Sequence, residues 1–177
     1  GAISFSTRGV ERDPSLAMAY ADLGNIYNNL NQTALSELYQ KKAFELKGRA
    51  SERERLYITA HYYTDKGELE KGIAAYELYK QTYPRAATPH VNLALIYVQA
   101  LEFEKGLANA KEAMRVDPDE SRGYSSAAGA FAGLNRLDEA KSVLNAGLQR
   151  NPTFLYLHDS LAYVPYAQGE LAVYECA

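Results

Sequence analysis

Tryptophan is missing from the 177 residues, and cysteine occurs once, as Cys176. No disulfide can therefore form within the chain, and bridges say nothing about its compartment. Neither sign of charge dominates: 19 lysines and arginines stand against 22 acids, a net charge of −3. That balance lacks the basic footprint of a nucleic-acid binder, so no nucleic-acid partner is expected. No run of about 18 apolar residues is present, and no charged segment leads into an apolar one at the N-terminus. The chain reads as soluble with no membrane segment, and the cytoplasm is its expected compartment.

Catalytic signatures are missing as well. There is no G-x-S-x-G elbow, no glycine-rich phosphate loop, no H-R-D and no D-F-G. His158, Asp159 and Ser160 are the three residue types of a hydrolase triad, but consecutive helical residues point about 100° apart and cannot form a relay. The acidic run from Asp117 to Glu120 lacks the spacing of a calcium loop and reads as the cap of a following helix. No catalytic residue, no metal site and no cofactor is expected, and the chain is not expected to be an enzyme.

What is abundant is tyrosine, at 15, and what is regular is proline. GELEKGIAAYELYKQTYP ends at Pro84, LEFEKGLANAKEAMRVDP at Pro118 and NRLDEAKSVLNAGLQRNP at Pro152, so the three prolines lie 34 residues apart. Columns at that spacing, with a first step of 36, hold Leu23, Thr59, Leu93, Ala127 and Leu161, each followed by a small residue: Gly24, Ala60, Ala94, Ala128 and Ala162. Three residues on come Tyr27, Tyr63, Tyr97 and Phe131, with Pro165 breaking the series. A second small column runs Ser36, Gly72, Gly106, Ala140, and a third holds Ala43, Ala113 and Gly147 with Tyr79 as its exception. Small residues let two helix backbones approach, and the ring beside them fills the remaining space. Units of this kind bury their apolar surface by stacking on one another.

The period and its columns resemble the tetratricopeptide repeat family over essentially the whole chain. The resemblance implies an all-α fold, a right-handed α-solenoid of antiparallel helix pairs. In this register the chain is one array: a partial repeat over 1–14, full repeats over 15–50, 51–86, 87–120 and 121–154, and a partial repeat over 155–177. Helices are expected over 16–30, 33–47, 52–66, 69–82, 89–100, 103–116, 121–133, 137–150 and 155–168. Ser51 and Glu54 form an S-x-x-E capping box, and Thr88 followed by Pro89 places proline at the first position of the next helix. The stretch SERERLYITAHYY with the repeat after it is similar to the tetratricopeptide tails of large bacterial serine/threonine kinases. That likeness implies a regulatory or docking segment and no kinase activity here.

In such arrays the first helix of each repeat lines a concave side. By register that side carries Asn25, Tyr57, His61, Asn92, Leu95, Gln99, Arg122, Ser126, Gly129 and Tyr163, with Asp65 beside them. His90 and His158 fall instead in the large-residue column of Tyr20 and Tyr124, where packing explains them. Some family members clamp a peptide's terminal carboxylate with lysine, asparagine and arginine; Asn92 and Arg122 fit that pattern, whereas Tyr57, His61 and Ser126 depart from it. The expected function is a peptide- or protein-binding scaffold, with asparagine amides on peptide backbone and Arg122 beside an acidic group. Small residues around Gly129 are expected to leave a hollow between Leu95 and Gln99 on one side and Tyr156 and Tyr163 on the other. A rival expectation is a homo-oligomer assembled through end repeats that lack caps, near Ile3, Phe5, Leu171 and Tyr174.

Overall fold

The computed structural model describes residues 6, 8–10, 13, 15–155 and 157–160. Among the described residues no strand occurs. The helices are α1 (Ala17–Asn29), α2 (Thr33–Leu46), α3 (Glu52–Asp65), α4 (Leu69–Thr82), α5 (Ala87–Gln99), α6 (Phe103–Val116), α7 (Ser121–Gly133) and α8 (Leu137–Arg150). Their bounds follow the periodicity closely, and the helix expected over 155–168 runs past the described residues.

The chain divides into two compact units, Gly1–Pro84 and Arg85–Ala177. In the first, α1 pairs with α2, α3 pairs with α4, and α3 also rests on α2. In the second, α5 pairs with α6 and α7 with α8, while α7 packs on both α5 and α6.

One turn joins the two helices of every pair. Asn31, Gly67, Leu101 and Asn135 sit in the left-handed region, with φ of 55°, 74°, 61° and 57°. The residue after each sends its N–H back to the ring column: Gln32 to the Tyr27 carbonyl (2.9 Å), Glu68 to Tyr63 (2.9 Å), Glu102 to Tyr97 (2.8 Å) and Arg136 to Phe131 (2.8 Å). The left-handed residue donates one position further on, to Asn28, Thr64, Val98 or Ala132. This Schellman arrangement satisfies carbonyls that a helix end leaves without intrahelical partners. Gln32, Glu68, Glu102 and Arg136 then start the next helix, their carbonyls accepting from Ser36, Gly72, Gly106 and Ala140.

The second small column is thereby delivered against the first helix. Ser36 Oγ donates to the Gly24 carbonyl at 2.9 Å. A Cβ added at Gly106 would lie 2.7 Å from Val98 Cγ2, closer than real Cβ atoms come, and a tight 3.3 Å from the Ala94 carbonyl oxygen. Glycine at that point is a condition of the helix spacing.

Entry into the first helices differs between pairs. Ser51 caps α3 in a complete capping box, its N–H donating to Glu54 Oε2 at 2.9 Å while its hydroxyl accepts from the Glu54 N–H at 3.3 Å. The proline restart is corrected: α5 begins two residues earlier than expected, with Ala86 as its N-cap, so Pro89 is third in the helix. Proline is tolerated there because the first-turn N–H groups have no intrahelical acceptor to lose.

Ala17, Ala21, Ala43 and Ile58 form the centre of the first unit, flanked by Tyr20, Phe44 and Tyr57. In the second unit Ala94, Leu107, Ala110, Tyr124, Ala127, Phe131 and Leu144 pack together. Rings place their bodies inside and their polar tips at the rim. Tyr124 Oη donates to the Pro118 carbonyl at 2.8 Å, and His158 Nε2 lies 2.8 Å from the Pro152 carbonyl at the same offset one period on. His90 shares that column and is buried.

Leu101 is the odd member of the turn series. It has a Cβ in the left-handed region and is 73% exposed, so no burial offsets the strain. Left-handed backbone costs a side-chain-bearing residue about 1–2 kcal/mol. Leu101→Gly is expected to raise stability by about 1 kcal/mol, read as a higher urea midpoint at unchanged slope.

Candidate functional site

The residues expected to make contacts lie on the first helix of each pair. In the first unit α1 and α3 contribute Asn25, Tyr57 and His61, and the structure brings all three together. Asn25 Nδ2 donates to Tyr57 Oη at 2.8 Å across the two helices. The Tyr57 ring lies 4.3 Å from the His61 ring, centroid to centroid, and His61 meets Tyr76 edge-on at 5.8 Å. Asn25, Tyr57 and His61 are half-buried, so the cluster is ordered without being sealed.

One member of this cluster is not among the residues expected from the sequence. Gln40, from α2, donates from Nε2 to Asn25 Oδ1 at 2.8 Å, and it is only 2% exposed. The signal for it was the register, which aligns Gln40 with Tyr76, Ala110 and Leu144. Gln40 is the polar residue in an otherwise apolar core column, and the uneven size of that column masks the signal.

In the second unit α5 and α7 carry Asn92, Leu95, Gln99, Arg122, Ser126 and Gly129. Asn92 Nδ2 donates to the Thr88 carbonyl of its own helix at 2.9 Å. Leu95 is 46% exposed and Gln99 is exposed one turn on. Arg122 spans Glu120, donating from Nε at 2.9 Å and from Nη2 at 2.7 Å, and these bonds hold the Glu120 carboxyl below its ordinary range. Ser126 is buried, and Gly129 is half-buried beside Val98, whose Cγ1 would stand 3.4 Å from an added Cβ. Tyr156 and Tyr163, expected to border a hollow here, lie outside the described residues, as does Cys176.

The chemistry of these faces is that of contact: amides, phenol rings, an imidazole and one paired guanidinium. Among the described residues no group of three or more histidine, cysteine, aspartate or glutamate side chains is placed to hold a metal, and no helix is long and apolar enough to cross a membrane.

Residues 17–49 match the profile of the tetratricopeptide repeat family. Those residues carry a tetratricopeptide repeat. It is similar to a thermophilic tetratricopeptide protein of Thermus thermophilus, with a TM-score of 0.74 at 20% identity over 93% of this chain and 89% of that one. It is similar also to the first tetratricopeptide domain of Spaghetti (RPAP3) bound to the HSP90 peptide SRMEEVD, with a TM-score of 0.61 at 20% identity over 66% of this chain and 95% of that one. Among curated proteins, Superkiller protein 3 of Schizosaccharomyces pombe is 23% identical over 171 residues. The match covers 93% of this chain, which spans 12% of that protein's length. The likeness to bacterial kinase tails stays a resemblance of sequence.

Asp22 and Asp65 are exposed residues on the first-unit helices, and neighbouring protein excludes part of the water around their carboxyls. Desolvation raises Asp22 above its ordinary value and raises Asp65, the last residue of α3, to about 6. Folded Asp65 thus keeps its proton to higher pH than an unfolded aspartate at 3.8, so the folded state binds more protons between those two values. Stability from this group therefore falls as pH rises through that window and stays lower above it. Asp65→Asn imitates the protonated form. It is expected to raise the thermal midpoint at about pH 7.5 and leave it unchanged near about pH 3.5. A midpoint difference independent of pH would show that desolvation of Asp65 is not the cause.

Proposed function

We propose that the chain is a non-catalytic scaffold that binds a peptide or a segment of a partner protein on the faces lined by the first helix of each repeat. The observation that carries this reading is the pre-assembled cluster of Asn25, Tyr57 and His61. Side chains from two successive first helices are joined by a hydrogen bond and a ring contact while keeping part of their surface in solvent. Ordering such groups before a ligand arrives reduces the entropy lost on binding. Amides and phenol rings serve this role well, because peptide backbone offers both donors and acceptors and side chains supply apolar area. The resemblance to a tetratricopeptide domain whose structure holds a bound peptide supports the same reading.

In the second unit, Leu95 and Gln99 supply an apolar and a polar contact beside the small surface at Gly129. Because Arg122 already holds Glu120, a partner's carboxylate has to compete with an internal one. A narrower form of the proposal is a docking tail within a larger bacterial signalling protein, such as a serine/threonine kinase. It rests on the likeness of residues 51–90 to such tails.

The test uses one peptide selected from a displayed library on the wild-type protein. Asn25→Ala and Gly129→Leu are each expected to weaken its binding about tenfold, with the helical circular dichroism unchanged. Unaltered affinity in both variants would falsify the assignment of these faces.

A further inference from the structure

We propose that Gln40 is a positioning residue: from inside the core it fixes the orientation of the Asn25 side-chain amide, and so decides where Asn25 offers its donor to a peptide carbonyl. The inference rests on the peptide-binding reading and deepens it.

Two departures from the repeat pattern meet at this point. In the other pairs the position of Gln40 is held by Tyr76, Ala110 and Leu144, all buried at 1% or less. Packing alone therefore asks for an apolar residue. Gln40 is buried as well, at 2%, and its Oε1 finds no hydrogen-bond partner among the described residues. A buried polar atom left so lowers stability relative to an apolar side chain of similar shape. The second departure is Gly24, where the other pairs carry Ala60, Ala94 and Ala128. A Cβ at Gly24 would lie 2.7 Å from Gln40 Cγ and Cδ and 2.8 Å from Nε2. Glycine inside a helix is itself unfavourable relative to alanine. Both departures thus act against stability, and their joint effect is to bring Gln40 Nε2 to 2.8 Å from Asn25 Oδ1.

That contact matters because an asparagine amide can rotate by half a turn and exchange donor for acceptor at nearly the same shape. In the structure Gln40 Nε2 donates to Oδ1 while the Tyr57 oxygen accepts from Nδ2, and together these two contacts hold Asn25 in one orientation. Oδ1 faces the core and Nδ2 faces Tyr57. An amide carries two N–H donors, so the second N–H on Nδ2 is held in a fixed direction at the half-buried surface. Positions that break local rules at a loss of stability are where function is expected.

Three variants decide the matter: Gln40→Met, which keeps the length and removes the donor; Gln40→Leu, which copies the residue at 144; and Asn25→Ala. Each is measured for thermal midpoint and for affinity toward the library-selected peptide, and the two Gln40 variants also for the Asn25 side-chain NH2 signals in nitrogen-15 NMR. We expect both Gln40 variants to melt no lower than wild type, to broaden or shift the Asn25 signals, and to bind about tenfold more weakly, as Asn25→Ala does. Wild-type affinity in both Gln40 variants, with Asn25→Ala still weak, overturns the positioning role and leaves the peptide site standing. Wild-type affinity in all three removes the peptide site at α1 and the inference with it. Lower midpoints with unmoved Asn25 signals would make Gln40 a packing residue and also overturn the proposal.

Discussion

The left-handed residue between paired helices, with its successor's N–H on a ring-column carbonyl, is the contact on which the remaining geometry depends. It closes one helix and opens the next within two residues, so the direction and register of the second helix are set together. Four residues later the small column arrives opposite the first helix. There Ser36 reaches the Gly24 carbonyl, and Gly106 leaves no space for a Cβ. A residue of different length in the turn would turn that column away, and the backbones could not approach.

Around this shared frame the two units fill their interiors differently. The second is lined by alanine and leucine, and its Tyr124 hydroxyl is tied to a loop carbonyl. Aromatic contacts crowd the first: Phe44 stacks on Tyr62 at 4.0 Å, and Tyr27 stacks on Tyr39 at 5.4 Å. Into that interior the polar chain from Gln40 through Asn25 to Tyr57 is inserted. Buried polar chains are worth keeping when their members are oriented for use, since an apolar replacement is usually at least as stable.

Charge plays a local part. The exposed pairs Glu68 with Lys71 and Glu102 with Lys105 follow the same turn in successive repeats, and Arg136 with Glu139 repeats it with the signs exchanged. Exposed pairs of this kind contribute about 0–1 kcal/mol. Their larger consequence is that long side chains are held near their own helix starts. Arg122 with Glu120 extends this to the start of a first helix.

The sequence by itself determined the helices and their pairing, because period, small columns and turn residues are properties of short segments repeated along the chain. Ser51 and Glu54 could be read as a cap for the same reason, since both partners lie three residues apart. Pro89 could not be placed within its helix, because a proline is compatible with any position of the first turn. The faces carrying Asn25, Tyr57 and Leu95 were legible from register, yet register is silent about what each side chain touches. Only the tertiary structure decided that Arg122 is occupied by Glu120, that Ser126 is buried, and that Gln40 reaches Asn25. Those outcomes depend on which rotamer each residue takes beside its neighbours, and on small departures such as Gly24 that matter only once two helices lie against each other.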